Sequence, residues 1–428
     1  MRSKSDKKKS LVPRLRFPEF REAGAWEEKK IEDYFSVRSS KRVLQKDWKT
    51  HGVPFYRTRE LVSLYNNEPF SSEIFISEEL FSEIAKKYGF PSEGDFLVSG
   101  VGTLGICYQV KAKDKFYFKD GNVLWYKQNG GIVSSFFYYC FHSDQIQNQI
   151  LGQASISTVG TYTIQNAKVT KFLCPTVEKE QQKIAHCLSS LDEVIGLQAK
   201  KVQALKQHKK GLMQQLFPAE GETTPRLRFP EFREAGAWEV KELIKLAGRG
   251  TERNQKGKIK RVLTNSAEHG VLDQREYFDK DIAIQGNLEN YFVVDQGDFV
   301  YNPRISSFAP VGPISRNDVG KGVMSPLYTV FSFRQSDTDF FAHYFNSSAW
   351  HSYMRKVGST GARHDRMAIS NSDFLAMPLS VPNPKEQQKI AHCLSSLDEV
   401  IGLESHKLDA LKNLKKGLMQ QLFPQEVA

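Results

Sequence analysis

The sequence predicts an α/β protein built as a pseudo-two-fold tandem repeat: two mixed α/β domains separated by a pair of long antiparallel coiled-coil helices. Three observations carry the prediction. EQQKIAHCLSSLDEVIGL runs from Glu180 to Leu197 and returns unchanged from Glu386 to Leu403. PRLRFPEFREAGAWE runs from Pro13 to Glu27 and again from Pro225 to Glu239, and KKGLMQQLFP from Lys209 to Pro218 and again from Lys415 to Pro424. Between the copied blocks lie unlike middles, whose short runs of Val, Ile, Phe and Tyr are broken by Gly, Asn and Asp, as in short strands joined by turns.

In chain order these signals place a first domain over 13–179, a helix over 180–218, a second domain over 225–385 and a second helix over 386–424. The stretch AEGETT, Ala219 to Thr224, is short, polar and Gly-containing, as expected of a loop between packed units. In the first helix Ile184, Leu188, Leu191, Ile195, Gln198, Val202 and Leu205 alternate spacings of four and three. Ile390, Leu394, Leu397, Ile401, Glu404, Leu408 and Leu411 repeat this in the second. Such heptad seams hide by packing helix against helix, and each helix has the length of a rod of roughly 50 Å. Prolines at Pro175 and Pro384, and the closing LFP, supply start and stop signals. One helix enters the second domain and the other leaves it, so if the two pack together they run antiparallel and the molecule is a dumbbell; the alternative is that each helix folds onto its own domain.

Composition narrows the class. The 428 residues, 40% apolar and 12% aromatic, suffice for two or three cores. MRSKSDKKKS is charged, but no apolar signal-peptide core follows it, and no run approaches the roughly 20 apolar residues of a membrane span. A cytoplasmic protein with no membrane partner is expected. Cys107, Cys140, Cys174, Cys187 and Cys393 form no CxxC pair, so neither a disulfide framework nor a metal site is suggested, and they read as small buried apolar groups. A net charge of +11 suits an anionic partner, most simply nucleic acid, although Lys7, Lys8 and Lys9 with Arg14 and Arg16 read equally as a solvated tail.

Motifs for catalysis fail on context. Gly100, Gly102 and Gly105 satisfy GxGxxG, but ICYQVKAK follows as a strand where a dinucleotide site needs a helix, leaving a tight glycine turn. No GxxxxGK[ST] is present. Asn302-Pro303-Arg304 has Arg where the methyltransferase NPP-aromatic motif has its second proline, and His364-Asp365 near Ser359 lacks a nucleophile elbow. No catalytic residue is assigned. What remains is a set of polar and basic loops in the unlike middles: Lys41, Arg42, Lys46, Arg57, Thr58, Arg59 and Thr158 in the first, and Arg253, Lys256, Arg304, Arg316, Arg363, His364 and Arg366 in the second. Arg reads guanine edges bidentately, while Lys and Thr hold phosphate, so these residues are candidates for contact with duplex DNA. For each one, an ordinary surface charge is the plain alternative.

The two EQQKIA helices, the segments GDFLVSG and GDFVYNP (Gly94 to Gly100, Gly297 to Pro303), SPLY at Ser325 to Tyr328, and the order of variable domain, repeated helix, variable domain, repeated helix resemble the specificity subunit of bacterial type I restriction-modification enzymes over nearly the whole chain. The resemblance implies two target recognition domains, each reading half of a bipartite double-stranded DNA site. The helices would set the spacer and dock two methyltransferase subunits. S-adenosylmethionine, ATP and Mg would be used by the methyltransferase and restriction subunits, with no cofactor bound by this chain. The copied helix ends supply candidate docking residues: Glu180, Gln181, Lys183, Asp192 and Glu193, with Glu386, Gln387, Lys389, Asp398 and Glu399. Recent duplication alone would also leave those ends identical. A scaffold for two protein partners that reads no DNA is the second reading.

Overall fold

A computed structural model describes residues 11–66, 68–154, 160–219, 221–277, 288–360 and 365–424. The chain divides into two compact units, residues 1–198 with 407–428 and residues 199–406. Each unit thus joins one mixed α/β domain to the start of one long helix and the end of the other.

Unit 1 is organised by a four-stranded antiparallel sheet in the order Phe35–Arg38, Val123–Gln128, Phe96–Ser99, Cys107–Gln109. Unit 2 repeats it as Ala247–Gly250, Thr329–Phe333, Phe299–Tyr301, Ile314–Arg316. Register is equivalent, with Phe96 opposite Tyr126 and Phe299 opposite Phe331. The two GDF segments open the third strand of each sheet. Asp95 is buried and accepts from the Trp125 indole at 2.8 Å and the Gln128 amide at 2.9 Å; Asp298 accepts from the Asp295 amide and the Ser332 hydroxyl. Both carboxylates close turns. The glycine turn also stands as read from the sequence: Gly102 and Gly105 adopt φ of +82° and +72°, and a strand, Cys107–Gln109, follows.

The copied segments account for how each unit closes. Glu27–Lys30 pairs with Lys171–Cys174, and Glu239–Glu242 with Pro378–Val381, so the copied front ties the domain's last strand just before the long helix begins. An aromatic core packs beneath the sheet: Trp26, Phe35, Phe96 and Phe137 in unit 1, and Trp238, Phe299, Phe331 and Phe341 in unit 2. Burying rings of this size is the dominant stabilising term, at about 25 cal/mol per Å² of apolar surface. The units differ outside the sheet. Unit 1 adds Val53–Tyr56 between Phe75–Ile76 and Tyr117–Phe118, the latter pairing in parallel; unit 2 adds a hairpin, Leu263–Ser266 with Gly270–Asp273, and the pair Phe292–Val294 with Gly322–Met324.

The long helices span Glu178–Leu216 and Pro384–Leu422. Pro384 takes the first turn of its helix, where a missing N–H costs nothing, and the Asn383 side chain accepts from the Glu386 amide at 3.0 Å. All fourteen seam positions are buried or half-buried. The seam is divided, however. Ile184 and Leu188 join the unit 1 core, and Ile390 and Leu394 the unit 2 core, so the first turns of each helix do fold onto their own domain. Later turns meet the other helix. In unit 1 Lys415 pairs with Asp192; in unit 2 Lys209 pairs with Asp398 and Lys201 with Glu404, a descending partner order that makes the segments antiparallel.

Of the cysteines, Cys107, Cys140 and Cys174 are buried, as expected of small apolar groups, whereas Cys187 and Cys393 are only half-buried. Among the described residues no helix is long and apolar enough to cross a membrane, and no cluster of His, Cys, Asp or Glu is arranged to hold a metal ion.

Candidate DNA-reading and docking surfaces

The cationic residues separate into free and engaged groups. In unit 1, Lys41, Arg42 and Lys46 lie exposed on the loop after Phe35–Arg38, where Arg42 pairs with Asp120 at 3.3 Å and Lys41 lies over the Tyr88 ring. Arg57 and Arg59 instead converge on the buried Glu60, Arg57 at 2.6 and 3.0 Å and Arg59 at 3.1 Å. Burial alone would raise the Glu60 carboxyl, but the Arg57 guanidinium and backbone N–H outweigh it and hold it below its usual range. Thr58 has its hydroxyl buried beside them with no hydrogen-bond partner. Thr158 lies outside the described residues.

In unit 2 the loop after Ala247–Gly250 occupies the same topological place as the basic loop of unit 1. Arg253 and Lys256 are exposed there, and Lys256 holds φ +67°, a left-handed conformation that a side-chain-bearing residue adopts at a cost. Arg316 is engaged, spanning Asp318 at 2.7 Å and Asp339 at 2.5 Å, so it ties a sheet edge to the helix Asp339–Phe345. Arg304 and Arg366 meet as an antiparallel bridge and are both exposed. Arg363 and His364 lie outside the described residues.

Beside that bridge opens a cleft of about 580 Å³, lined by Asn265, Gln274, Arg304, Phe308, Leu327 and Arg366 among others. Phe308 is 70% exposed and Leu327 60% exposed, large apolar groups left in water at the cleft. Phe308 was not singled out by the sequence, and Leu327 only as a member of SPLY rather than as a site residue, because a Phe or Leu in a strand-rich segment reads as core.

The copied helix residues also divide. Glu180 is fully buried, accepting from Arg16 at 2.7 and 2.8 Å and from the Trp26 indole at 3.2 Å; Glu386 does the same with Arg228 and Trp238. Gln181 accepts from the Val133 amide and donates to the Pro175 carbonyl, and Gln387 donates to the Pro382 carbonyl. These four sit inside their units with polar atoms committed to internal bonds, off the exposed helix face. Lys183 and Lys389 are half exposed, pairing with Glu19 and Glu231. Asp192 and Asp398 each hold an inter-helix ion pair.

Glu193 and Glu399 remain open to solvent. With them, on the same face in both copies, stand Val194 with Leu197, the latter 60% exposed, and Val400 with Leu403, 69% exposed. The signal for this face was present in the sequence as apolar residues one position before the seam residues Ile195, Gln198, Ile401 and Glu404, a second stripe that a single heptad seam does not need.

The family model for the type I restriction modification DNA specificity domain matches twice, at residues 24–207 and 246–413. A protein of Haemophilus influenzae named as a type I restriction enzyme specificity subunit is 30% identical over 161 residues, covering 37% of this chain and 38% of the relative. A Methanocaldococcus jannaschii protein named as the MjaX specificity subunit is 23% identical over 431 residues, covering 93% of this chain and 92% of the relative. The fold is shared with the type I restriction-modification S subunit structure from M. genitalium, at TM-score 0.55 and 13% identity over 97% of this chain and all of that one. A second solved chain of a type I system gives TM-score 0.54 at 14% identity, over 94% of this chain and 98% of that one. With two copies of its defining domain along most of its length, the chain belongs to the type I restriction-modification DNA specificity family.

Proposed function

We propose that this chain is the non-catalytic specificity subunit of a type I complex, with each domain reading one half of a bipartite, asymmetric duplex site and the helices setting the distance between halves. The carrying observation is the pairing of a copied surface with unlike ones. Glu193, Val194 and Leu197 recur as Glu399, Val400 and Leu403 on the same exposed helix face, whereas the loops around each sheet differ in residue and fold. Two identical faces suit two copies of one partner, a methyltransferase subunit, and unlike loops suit unlike half-sites. S-adenosylmethionine, ATP and Mg are then used by the methyltransferase and restriction subunits.

Labour within each domain divides by chemistry. The exposed cations at Lys41, Arg42 and Lys46 and at Arg253 and Lys256 occupy equivalent loops, and such charges position a protein on phosphates without reading sequence. Reading falls to the residues that differ. Exchanging Leu61 to Ala167 for the same segment of another specificity domain, followed by sequencing of methylated DNA, tests this: one half-site changes and the other stays. A change in both halves, or methylation indifferent to sequence, would overturn the assignment and favour a scaffold that only gathers proteins.

A further inference from the structure

Arg304 and Arg366 are separated by 62 positions, yet they stand directly opposite each other in a single antiparallel bridge. The flanking bonds are Ile305 N–H to the Asp365 carbonyl, at 2.8 Å, and Met367 N–H to the Pro303 carbonyl, also 2.8 Å. Bonds at i+1 and j+1 make Arg304 and Arg366 a non-hydrogen-bonded pair, the register in which opposed side chains share one face and lie closest. Like charges so placed repel. Neither guanidinium meets a carboxylate in an ion pair among the described residues, although Glu268 lines the same cleft. The fold therefore maintains a cost that an anionic or acceptor-rich partner would relieve.

Three neighbouring features give that partner a shape. Phe308 and Leu327 hold apolar surface out in water at the cleft. Asn265 is 2% exposed, lines the cleft and has its Oδ1 atom without a hydrogen-bond partner, while its Nδ2 donates to the Val300 carbonyl at 2.8 Å. The arginines are carried on two segments joined by a single antiparallel bridge, a minimal form of the two-stranded ribbon that fits the major groove of duplex DNA.

Resting on the reading of unit 2 as a half-site reader, we infer that this ribbon enters the major groove, that Arg304 and Arg366 hold the guanines of neighbouring base pairs through O6 and N7, and that Phe308 packs against the 5-methyl group of an adjoining thymine. Two side chains on one ribbon face suit two neighbouring base pairs, stacked about 3.4 Å apart along each strand. A guanidinium gives guanine two parallel donors in a fixed planar fork, where lysine offers a flexible point charge that holds N7 less firmly. The thymine methyl is the one apolar group the major groove offers.

The test uses the chain assembled with its methyltransferase subunit, on DNA carrying the site found by methylome sequencing. Placing 7-deazaguanine at the guanines of the unit 2 half-site removes N7, and placing uracil at its thymine removes the methyl group. Wild type is expected to lose about tenfold or more in methylation rate at subsaturating complex with 7-deazaguanine, and a smaller factor with uracil. Arg304→Lys and Arg366→Lys, which keep the charge, are expected to be slow on natural DNA and less sensitive to 7-deazaguanine; Phe308→Ala is expected to be indifferent to uracil. The base analogues acting on wild type need no variant to fold. If the unit 2 half-site lacks neighbouring G·C pairs, or the lysine variants keep full rate and full sensitivity, the base assignment is overturned and the arginines are phosphate contacts. If methylation ignores every base of the unit 2 half-site, the half-site reading itself fails.

Discussion

Lys415 on the second long helix holds Asp192 on the first at 2.6 Å, and Asp192 also accepts from the Tyr139 hydroxyl at 2.8 Å. One carboxylate thereby joins the domain to both helices of unit 1. Unit 2 builds the corresponding knot from Lys209, Asp398 and His343, with the histidine where unit 1 has tyrosine, and its Nδ1 lies 4.0 Å from Asp398, beyond hydrogen-bond reach.

This exchange puts a buried, titratable histidine into the unit 2 knot. Burial, with Lys209 and Arg316 opposing Asp398 and Asp339, pushes His343 down to about 4; burial likewise brings His351 to about 4. A histidine whose folded pKa lies below its unfolded 6.5 binds its proton first in the unfolded chain. Stability is therefore intact above about pH 6.5 and falls as pH drops toward 4, by on the order of 3 kcal/mol for His343. Thermal melts of wild type and His343→Tyr across this window check it: the variant's unit 2 transition is expected to be flatter with pH, and equal slopes would remove His343 as the cause.

The buried Arg16–Glu180 pair and its copy, Arg228–Glu386, have each carboxylate fully enclosed. Removing one member leaves an uncompensated charge, so Arg16→Ala is expected to cost about 3–5 kcal/mol in unit 1, while Arg16→Met with Glu180→Leu costs much less. Denaturant titration resolves the two cases, because only the single change strands the carboxylate.

Leu197→Glu and Leu403→Glu alter exposed positions, so each is expected to shift stability by less than about 0.5 kcal/mol. If the copied face is the docking surface, either single change reduces the bound methyltransferase subunits from two to one, and the double change abolishes assembly. Mass measurement of the complex in solution reads the stoichiometry; two bound subunits in the double variant would place docking elsewhere.

Neutralising Arg253 and Lys256 together is expected to weaken DNA binding about equally on cognate and unrelated duplexes, and to reduce the slope of log affinity against log salt by about 0.9 for each phosphate that is no longer neutralised. A weakening confined to the cognate site would move these residues from positioning to reading. Comparing slopes at several salt concentrations distinguishes the two.

The repeat, the long helices and the seam were legible because they are periodic, and a helix is a local structure. The fate of the seam's ends was not. Ile184 and Leu188 satisfy the same spacing as Val202, but the domain core reaches them first. Charge identity was legible and charge occupation only in part: Glu60 and Asp318 stand three and two positions after Arg57 and Arg316, but only the fold buries Glu60 and brings Asp339 to Arg316. The Arg304–Arg366 pair depends on strand register between distant segments, which no local pattern encodes. Glu180 and Glu386 looked like surface residues of a copied helix because their partners, Arg16 and Arg228, arrive from another copied block.

The closure of unit 1 also sets an order of events during synthesis. Its core contains Leu422 and Phe423, and the Leu15 amide donates to the Gln421 carbonyl at 3.0 Å, whereas the matching bond of unit 2, Leu227 to Gln215, joins residues made almost consecutively. Unit 2 has every one of its residues outside the ribosome once His406 has emerged. Unit 1 is begun first and completed last, its closing residues Leu422 and Phe423 made only after the whole of unit 2.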